Sequence, residues 1–412
     1  MTFVDVQNGF YNALVQGLGI GQGSNFQLIQ PSPPLLPDDH QLWDYFNNIP
    51  PFSLTQDYTA SGGNQFFSNY KGLISALKSP LGDRLVKDIG QNVLDEFVDY
   101  VSAKDPAPSP RQYPALFRNW AMLRHPSVAT KGASDFAAML LEPIAAASIA
   151  LMGYEGDTDA APPIAPRQAD WDAGFKQLKA QLNVAPSRSF HFERSSMNSN
   201  VSRTWTGGSN SGFFGLWGSS SYSSSQSVTF AQSNFSVDAS FAHVLLFAPT
   251  PGVWYSSAAM GQAYSHKSGA PWDPTATINW NNTFDPKNGN MARFMTNLVV
   301  VDTLNITVRS FAKYTRDDQT VIQKNSGGGL WPFYTSGRSG GASTSASFAD
   351  DGTMTIKINS QPGVPIVIGG NVLPIDQYVG HAVAGMKLYA EFMQDDASFR
   401  DLILNPTEMQ PV

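Results

Sequence analysis

The amino-acid sequence predicts an α+β protein: a helical N-terminal region, a duplicated antiparallel β region and a C-terminal helix. Apolar residues recur at steps of three and four over the first 185 residues, which is the spacing of amphipathic helices. From Pro186 the period changes to two, the spacing of strands that have one buried face. We therefore predict a helical region over 1–185, a β-rich region over 186–372, and an end segment, 373–412, whose helix packs back on the body.

Each helix of the first region is predicted from its own run of apolar residues. The first run begins at Phe3 and ends at the glycines that follow Leu18. The segment 136–152 is long and Ala-rich, but Glu142-Pro143 interrupts it. We expect a kinked, buried helix there rather than a membrane span. The remaining helices are predicted at about 39–48, 63–78, 83–103, 112–124 and 171–182.

Strands of the second region are predicted where apolar and polar residues alternate. The clearest alternation runs from Phe235 to Phe247. Apolar residues at helical spacing predict the closing helix over 375–393, and a Trp-, Pro- and Asn-rich segment, 249–290, separates the two halves of the β region. Further strands are predicted around 190–206, 298–308 and 354–358.

Two stretches of the β-rich region repeat one unusual order of motifs. Gly-Leu-Trp occurs at 215–217 and again at 329–331, and a Ser-rich run and a Pro-Gly-Val follow each copy. Because several motifs recur in the same order, we interpret the segments 187–255 and 298–370 as diverged copies of one duplication. The prediction is therefore a pair of long Ser/Gly-rich hairpins, each attached to alternating strands.

Composition excludes several kinds of partner and site. The formal charge is -7, which argues against nucleic acid, because phosphate binding depends on clustered Lys and Arg. The chain contains no Cys, so disulfides and thiolate metal sites are excluded. The residues from Met1 to Asp5 lack the basic and apolar regions of a Sec-type signal. We expect a soluble protein made in the cytoplasm, with any release through a non-Sec route.

The sequence offers little for an enzyme. The six His residues form no recognisable metal spacing, and there is no Walker loop or Gly-x-Ser-x-Gly motif. The strongest catalytic candidate is His191 with Glu193 on the same strand face, with His243 across the sheet. Since His residues in strands are more often structural than catalytic, we expect no enzyme, no metal site and no cofactor.

The first Ser-rich stretch has the composition of a membrane hairpin. Between Glu193 and Asp238 the charged residues are Arg194 and Arg203. Ser and Thr side chains tolerate a water-filled lumen while scattered apolar residues face lipid, so the arms 195–206 and 219–230 suit a spanning hairpin. The residues predicted to contact a membrane or a partner are those at the tips of the two copies: Phe213, Phe214, Leu216, Trp217, Leu330, Trp331 and Phe333.

The sequence thus predicts a non-enzymatic, membrane-active protein that forms homo-oligomers and inserts both hairpins, as pore-forming toxins do. The alternative is a self-assembling structural protein, a filament, sheet or shell, that uses the same stretches as subunit contacts, because uncharged strands lack the protection of a charged sheet edge. Plain Ser-rich loops are the third interpretation of these stretches. A carbohydrate-binding module is a further alternative, with Trp254, Trp272 and Trp280 as stacking platforms.

Overall fold

The computed structural model describes residues 2–20, 25–29, 34–51, 62–157, 163–196, 224–326, 329–330, 333–334 and 342–379. These residues form helices and an antiparallel sheet, which confirms the predicted α+β class. Two compact units are present, and each combines three separate stretches of chain. Unit 1 comprises Met1–Gly63, Ala173–Pro249 and Arg293–Leu373, and unit 2 comprises Asn64–Asp172, Thr250–Ala292 and Pro374–Val412. The regions predicted from the sequence instead follow one another along the chain.

Local sequence signals set helix ends. Thr2 and Asp5 form a reciprocal capping box at the first helix, and the Asp38 carboxylate accepts hydrogen bonds from the first amides of the second. In chain order, the helices of the described residues are α1 (Phe3–Gly17), α2 (Asp39–Asn47), α3 (Phe66–Ser75), α4 (Pro80–Ile89), α5 (Gln91–Ser102), α6 (Tyr113–Arg124), α7 (Ala129–Met139), α8 (Pro143–Met152), α9 (Phe175–Leu182), α10 (Ser225–Gln232), α11 (Ser257–Ser265), α12 (Trp280–Phe284) and α13 (Arg316–Asn325). Residues 375–379 are also helical, and the rest of the predicted closing helix lies outside the described residues.

Unit 2 contains a helical core to which α4, α5, α6, α7 and α8 contribute. At its centre the Phe97 ring lies 5.0 Å from the ring of Phe117 and 5.3 Å from that of Phe136. Helix α8 buries apolar residues on all sides, as expected of a helix inside a core rather than at its surface. The core therefore depends on aromatic packing between neighbouring helices.

The segment predicted as one kinked helix forms two helices, α7 and α8. The first helix ends at Met139, and the Glu142 carboxylate caps the second, accepting hydrogen bonds from the amides of Ile144 at 3.0 Å and Ala145 at 2.6 Å. Across the described ranges, no single helix is long and apolar enough to span a bilayer. Together α7 and α8 reach the required length and composition, but they meet at a bend of 120°.

Unit 1 is built on a sheet of seven strands. In the order of hydrogen bonding, β1, β9, β4, β3 and β2 are neighbours, β8 lies beside β4, and β7 lies outside β8. Strands β5 and β6 form a separate pair. The strands are β1 (Phe26–Leu28), β2 (Arg188–Glu193), β3 (Phe235–Phe247), β4 (Arg293–Ser310), β5 (Gly329–Leu330), β6 (Phe333–Tyr334), β7 (Ala342–Phe348), β8 (Met354–Ser360) and β9 (Ile366–Pro374).

Strand β4 has 18 residues and organises this sheet. Strand β3 pairs with it along one side, while β8 and β9 occupy the other side. A turn joins β8 to β9, and the amide of Gly363 in this turn donates a 2.8 Å hydrogen bond to the buried carboxylate of Asp302 in β4. Gly363 has a φ of 82°, a backbone conformation that glycine adopts without strain.

Helix α1 covers the inner face of the sheet. The Phe10 ring makes edge contacts with Phe190 and Phe192 of β2 at centroid separations of 5.9 and 5.4 Å. The same core contains inward residues of β3, β4 and β8. In β8, in β3 up to Phe241 and in β4 from Leu304 onward, they alternate with polar residues on the opposite face. This alternation is the pattern that the sequence predicts for strands with one buried face.

The duplicated hairpins are not confirmed. Residues 227–231 of the first copy lie in helix α10, although the sequence predicts a strand over 219–230. Their counterparts, 345–348, lie in strand β7. The first segment is helical because its buried residues, Ser227, Phe230 and Ala231, have helical spacing and face a core, so tertiary packing outweighs the weak local preference.

Candidate functional site: the base of the connection between β2 and β3

The Ser-rich stretch of the first copy connects two neighbouring strands. Strands β2 and β3 pair antiparallel, with Glu193 opposite Ser236 at the end from which the connection 194–234 leaves. The structure describes both ends of this connection, 194–196 and 224–234. The predicted tip residues Phe213, Phe214, Leu216 and Trp217 lie outside the described residues.

Helix α10 holds the second end of the connection against the body of unit 1. The Ser224 hydroxyl caps the helix by accepting a hydrogen bond from the amide of Ser227. The Phe230 ring stacks on Phe235 at 5.0 Å and makes an edge contact with Phe3 of α1 at 6.3 Å. These contacts bury the apolar side of a short helix, whose stability depends on packing rather than on propensity.

Two side chains at the start of α10 contact α13. Gln226 Nε2 donates a hydrogen bond to Asp318 Oδ1 at 2.8 Å, and Ser225 Oγ donates to the same oxygen at 3.3 Å. The hydroxyl of Thr315, which caps α13, donates a hydrogen bond to Asp318 Oδ2 at 2.8 Å and accepts one from the amide of Asp318 at 3.1 Å. The start of α10 is therefore attached to a helix that follows β4 in the chain.

Arg194 joins the two ends of the connection. Its Nη1 donates hydrogen bonds to the carbonyl oxygens of Gln232 and Ser233, the second at 2.8 Å. These carbonyls belong to the C-terminal end of α10, where a cation is favoured by the helix dipole and by carbonyls that have no partner within the helix. The end of β2 is thus fastened to the beginning of β3.

A chain of buried hydroxyl groups continues from this point into the core. Ser233 Oγ lies 2.9 Å from Ser310 Oγ, and Ser310 Oγ lies 2.9 Å from the hydroxyl of Tyr314. Ser233 Oγ also donates to the carbonyl of Phe230 at 2.8 Å. Burial raises the pKa of Tyr314 well above its usual value, so these groups are neutral and satisfy one another inside the protein.

A cluster of ionisable side chains lies on the outer face of the sheet beside this base. His191 Nδ1 lies 2.6 Å from Asp238 Oδ1, and Arg309 Nη1 donates to Asp238 Oδ2 at 2.9 Å. His191 Nε2 lies 3.6 Å from Glu193 Oε2. Because these side chains are about half exposed, each pair contributes little to stability.

The cluster shifts the pKa values of its members in opposite directions. The hydrogen bond with Asp238 raises the pKa of His191. The hydrogen bond with His191 lowers the pKa of Asp238, and the hydrogen bond from Ser195 lowers the pKa of Glu193. All three shifts favour the charged forms, so the cluster is a set of ion pairs.

Among the described side chains of this cluster, the geometry does not place a nucleophile against a general base. Ser195 donates its hydrogen bond to Glu193 rather than to His191, whereas nucleophilic catalysis requires the hydroxyl to face the base. The second candidate, His243, lies opposite Asp302 in the ladder, and its Nδ1 is 2.9 Å from the carbonyl of Ala185. Among the described residues, no group of three or more His, Asp or Glu side chains is placed to hold a metal ion.

The second copy of the Gly-Leu-Trp motif is partly described. Leu330 of β5 pairs with Phe333 of β6, and Trp331 lies outside the described residues. The Phe333 side chain is buried, with its ring 5.9 Å from that of Phe10 and 6.3 Å from that of Phe241. In this conformation Phe333 contacts the protein core, and a membrane contact requires its release.

The three tryptophans considered as carbohydrate platforms are buried in unit 2. The indole nitrogens of Trp254, Trp272 and Trp280 donate to backbone carbonyls at 2.9, 2.6 and 2.8 Å. The interpretation of these tryptophans as carbohydrate platforms is therefore wrong, because a sugar can stack only on an accessible ring face.

No protein-family model matches the chain, and no curated protein or solved structure matches it. The sequence indicated His191 and Glu193 but not their partners Asp238 and Arg309, nor the bonds from Arg194. Asp238 could have been found, since it lies on the outward side of the clearest alternating strand.

Proposed function

We propose that the protein is an oligomerising, membrane-active protein that inserts the connection between β2 and β3 as a hairpin. One observation carries the proposal: this Ser-rich connection joins two strands that are already adjacent and antiparallel. Its two arms can therefore continue the existing hydrogen-bond ladder, and the order of the strands in the sheet does not have to change. Backbone groups in lipid must be paired within the protein, and a ladder that continues into the membrane meets this requirement.

The length and composition of the arms support insertion. The predicted arms 195–206 and 219–230 contain 12 residues each, and a membrane-spanning strand needs about 9–11 residues. Arg203 is the charged residue within the two arms, and charge on a lipid-facing strand is the main obstacle to insertion. The aromatic residues between the arms suit the interface, where Trp is enriched.

Insertion requires the contacts of α10 to be broken. Exposing the Phe230 side chain costs about 1.5–3 kcal/mol, and the bonds from Arg194 and to Asp318 are also lost. Lipid must compensate for these losses, because a ligand shifts an equilibrium only by its different affinity for the two states. The contacts around α10 therefore keep the arm on the body of the protein in the absence of a membrane.

A disulfide between α10 and α13 tests the proposal. In the double variant Ser225→Cys with Asp318→Cys, the new thiols are the only ones in the chain, and they replace groups that are 3.3 Å apart. We expect vesicles loaded with dye to leak with wild-type protein, to stay intact with the oxidised variant, and to leak again after reduction. The two single-Cys variants, treated in the same way, control for the substitutions and for the oxidant.

Two results would contradict the proposal. One is undiminished leakage from folded, fully oxidised double variant. The other is the absence of leakage and of lipid binding by folded wild-type protein on zwitterionic, anionic and sterol-containing vesicles. If leakage occurs, Trp217→Ser is expected to reduce it, because it removes an aromatic residue from the predicted tip of the inserted connection.

The alternative, a self-assembling structural protein, is supported by the uncharged sequence of β7. Electron microscopy with and without vesicles distinguishes the two functions. Filaments, sheets or shells formed without lipid support the structural alternative, whereas rings found only on vesicles support the membrane-active protein.

A further inference from the structure

The second Ser-rich run forms an outer strand that lacks charge. Within the part of the chain that the structure describes, β7 pairs with β8 alone. Its seven residues, Ala-Ser-Thr-Ser-Ala-Ser-Phe, include neither a charge nor a proline. Strand β2, which is last in the order at the opposite side of the sheet, carries Arg188, His191 and Glu193. Charged residues protect the edge of a sheet against pairing with another chain, and β7 has none.

The two faces of β7 differ in a way that suits a further strand. Ala342, Ala346 and Phe348 point inward and are only partly buried at the border of the unit 1 core. Ser343, Ser345 and Ser347 alternate with them and are exposed. A neighbouring strand with the same alternation would extend both the apolar inner row and the hydroxyl-bearing outer row. Another copy of β7 has this alternation.

We infer that β7 pairs antiparallel with β7 of a second copy, around a two-fold axis at Ser345. In this register Ala342 lies opposite Phe348 of the other copy and Thr344 lies opposite Ala346, so a large side chain meets a small one. Inward residues must face inward residues, because a one-residue slip would turn every side chain to the wrong face. The register centred on Ser345 satisfies this condition and pairs all seven residues of the strand.

This inference goes beyond the proposed function and does not depend on the membrane step. It can therefore be tested in solution without lipid. A dimer without vesicle leakage would leave the inference intact and contradict the membrane-active function. Leakage by a protein that shows no contact at β7 would contradict the inference and leave the membrane-active function intact.

Cysteine cross-linking tests the register directly, because the natural chain contains no Cys. In Ser345→Cys the two thiols of the dimer would stand opposite each other, with Cα atoms about 4.5–5.5 Å apart, which is within the range of a disulfide. In Ser343→Cys they would be offset by four residues, about 13 Å, which is too far. We expect mild oxidation to yield covalent dimer with Ser345→Cys and to leave Ser343→Cys monomeric on a non-reducing gel.

A charge at the axis tests the contact without oxidation. Ser345→Lys places like charges opposite each other, and we expect it to raise the dimer dissociation constant about tenfold in sedimentation experiments. Ser189→Lys, an exposed position on β2, is the matched control and should leave the dissociation constant unchanged. The inference is overturned if folded wild-type protein is monomeric at its highest soluble concentration. It is also overturned if Ser343→Cys cross-links as fast as Ser345→Cys, or if Ser189→Lys dissociates the dimer instead.

Discussion

Two five-residue segments of this protein differ at only two positions and adopt different structures. Residues 227–231, Ser-Val-Thr-Phe-Ala, lie in helix α10, whereas residues 345–349, Ser-Ala-Ser-Phe-Ala, form the end of strand β7 and the residue after it. In α10 the buried residues are spaced by three and four, and in β7 the partly buried residues are spaced by two. The same residue types therefore serve both patterns.

The neighbours of each segment decide between the two structures. Ser224 supplies a helix cap to the first segment, and the aromatic rings of Phe3 and Phe235 receive its buried face. The second segment has β8 beside it, with Ser347 opposite Thr355 and Phe348 opposite Met354. A short Ser-rich sequence with one Phe has no strong preference of its own, so tertiary contacts determine its conformation.

The largest expected difference between the segments comes from their Phe residues. Phe230→Ala should reduce the free energy of unfolding by about 3–5 kcal/mol, because a fully buried ring is removed and a cavity is left. Phe348→Ala should cost only about 1–2 kcal/mol, since its ring is partly exposed. Urea unfolding of the two variants measures both values. Equal losses would show that burial does not distinguish the two segments.

A smaller difference is expected at the serine that caps α10. Ser224→Ala removes the acceptor for the Ser227 amide and should cost about 1 kcal/mol. Ser343→Ala in β7 changes an exposed residue and should stay within about 0.5 kcal/mol of wild type. Ser224→Asp, which keeps an acceptor at the cap, should restore most of the loss. If Ser224→Asp does not restore the free energy of unfolding, Ser224 stabilises the protein through a contact other than the helix cap.

The smallest effect concerns pH and the ion cluster beside the first segment. The raised pKa of His191 gives a stabilisation that is present below the His pKa of the unfolded chain, about 6.5, and is lost as pH rises through the folded value. The lowered pKa values of Asp238 and Glu193 act oppositely, since their stabilisation is lost in acid. Wild type should therefore lose slightly more stability than His191→Gln between pH 6 and pH 8. Parallel unfolding curves for the two proteins across this range would contradict the ion-pair assignment.

The sequence predicted elements that depend on local patterns. Strand β3 begins and ends at Phe235 and Phe247, as the alternation indicates, and every second residue from Phe235 to Phe241 faces the core. The alternation changes at Val244, which is buried although the pattern places it outside. Val244 and its partner Val301 lie in the same core as Phe241, and between these pairs Thr303 of β4 has a φ of 54°. The alternation of one strand cannot reveal such a change of face, because the unusual backbone conformation lies in the neighbouring strand.

The candidate site was less predictable than the strands. The sequence identified the low charge of the connection and the pairing of His191 with Glu193, both of which are local features. The bonds from Arg194 to Gln232 and Ser233 join residues nearly forty positions apart and depend on the register of β2 with β3. Neither the register of β2 with β3 nor the helical state of α10 follows from composition. The hydrogen bonds from Arg194 therefore become visible only in the structure.

The position of β1 in the sheet has a consequence for synthesis. Residues 26–28 pair with residues 369–371 of β9, so the sheet cannot be completed until nearly the whole chain has left the ribosome. The helical core of unit 2 uses residues from Leu85 to Ile149 and is available much earlier. At about 5–20 residues per second, roughly 10–45 s separate these two events. During this interval we expect α1 and β1 to need protection by chaperones, while the helical core can already fold.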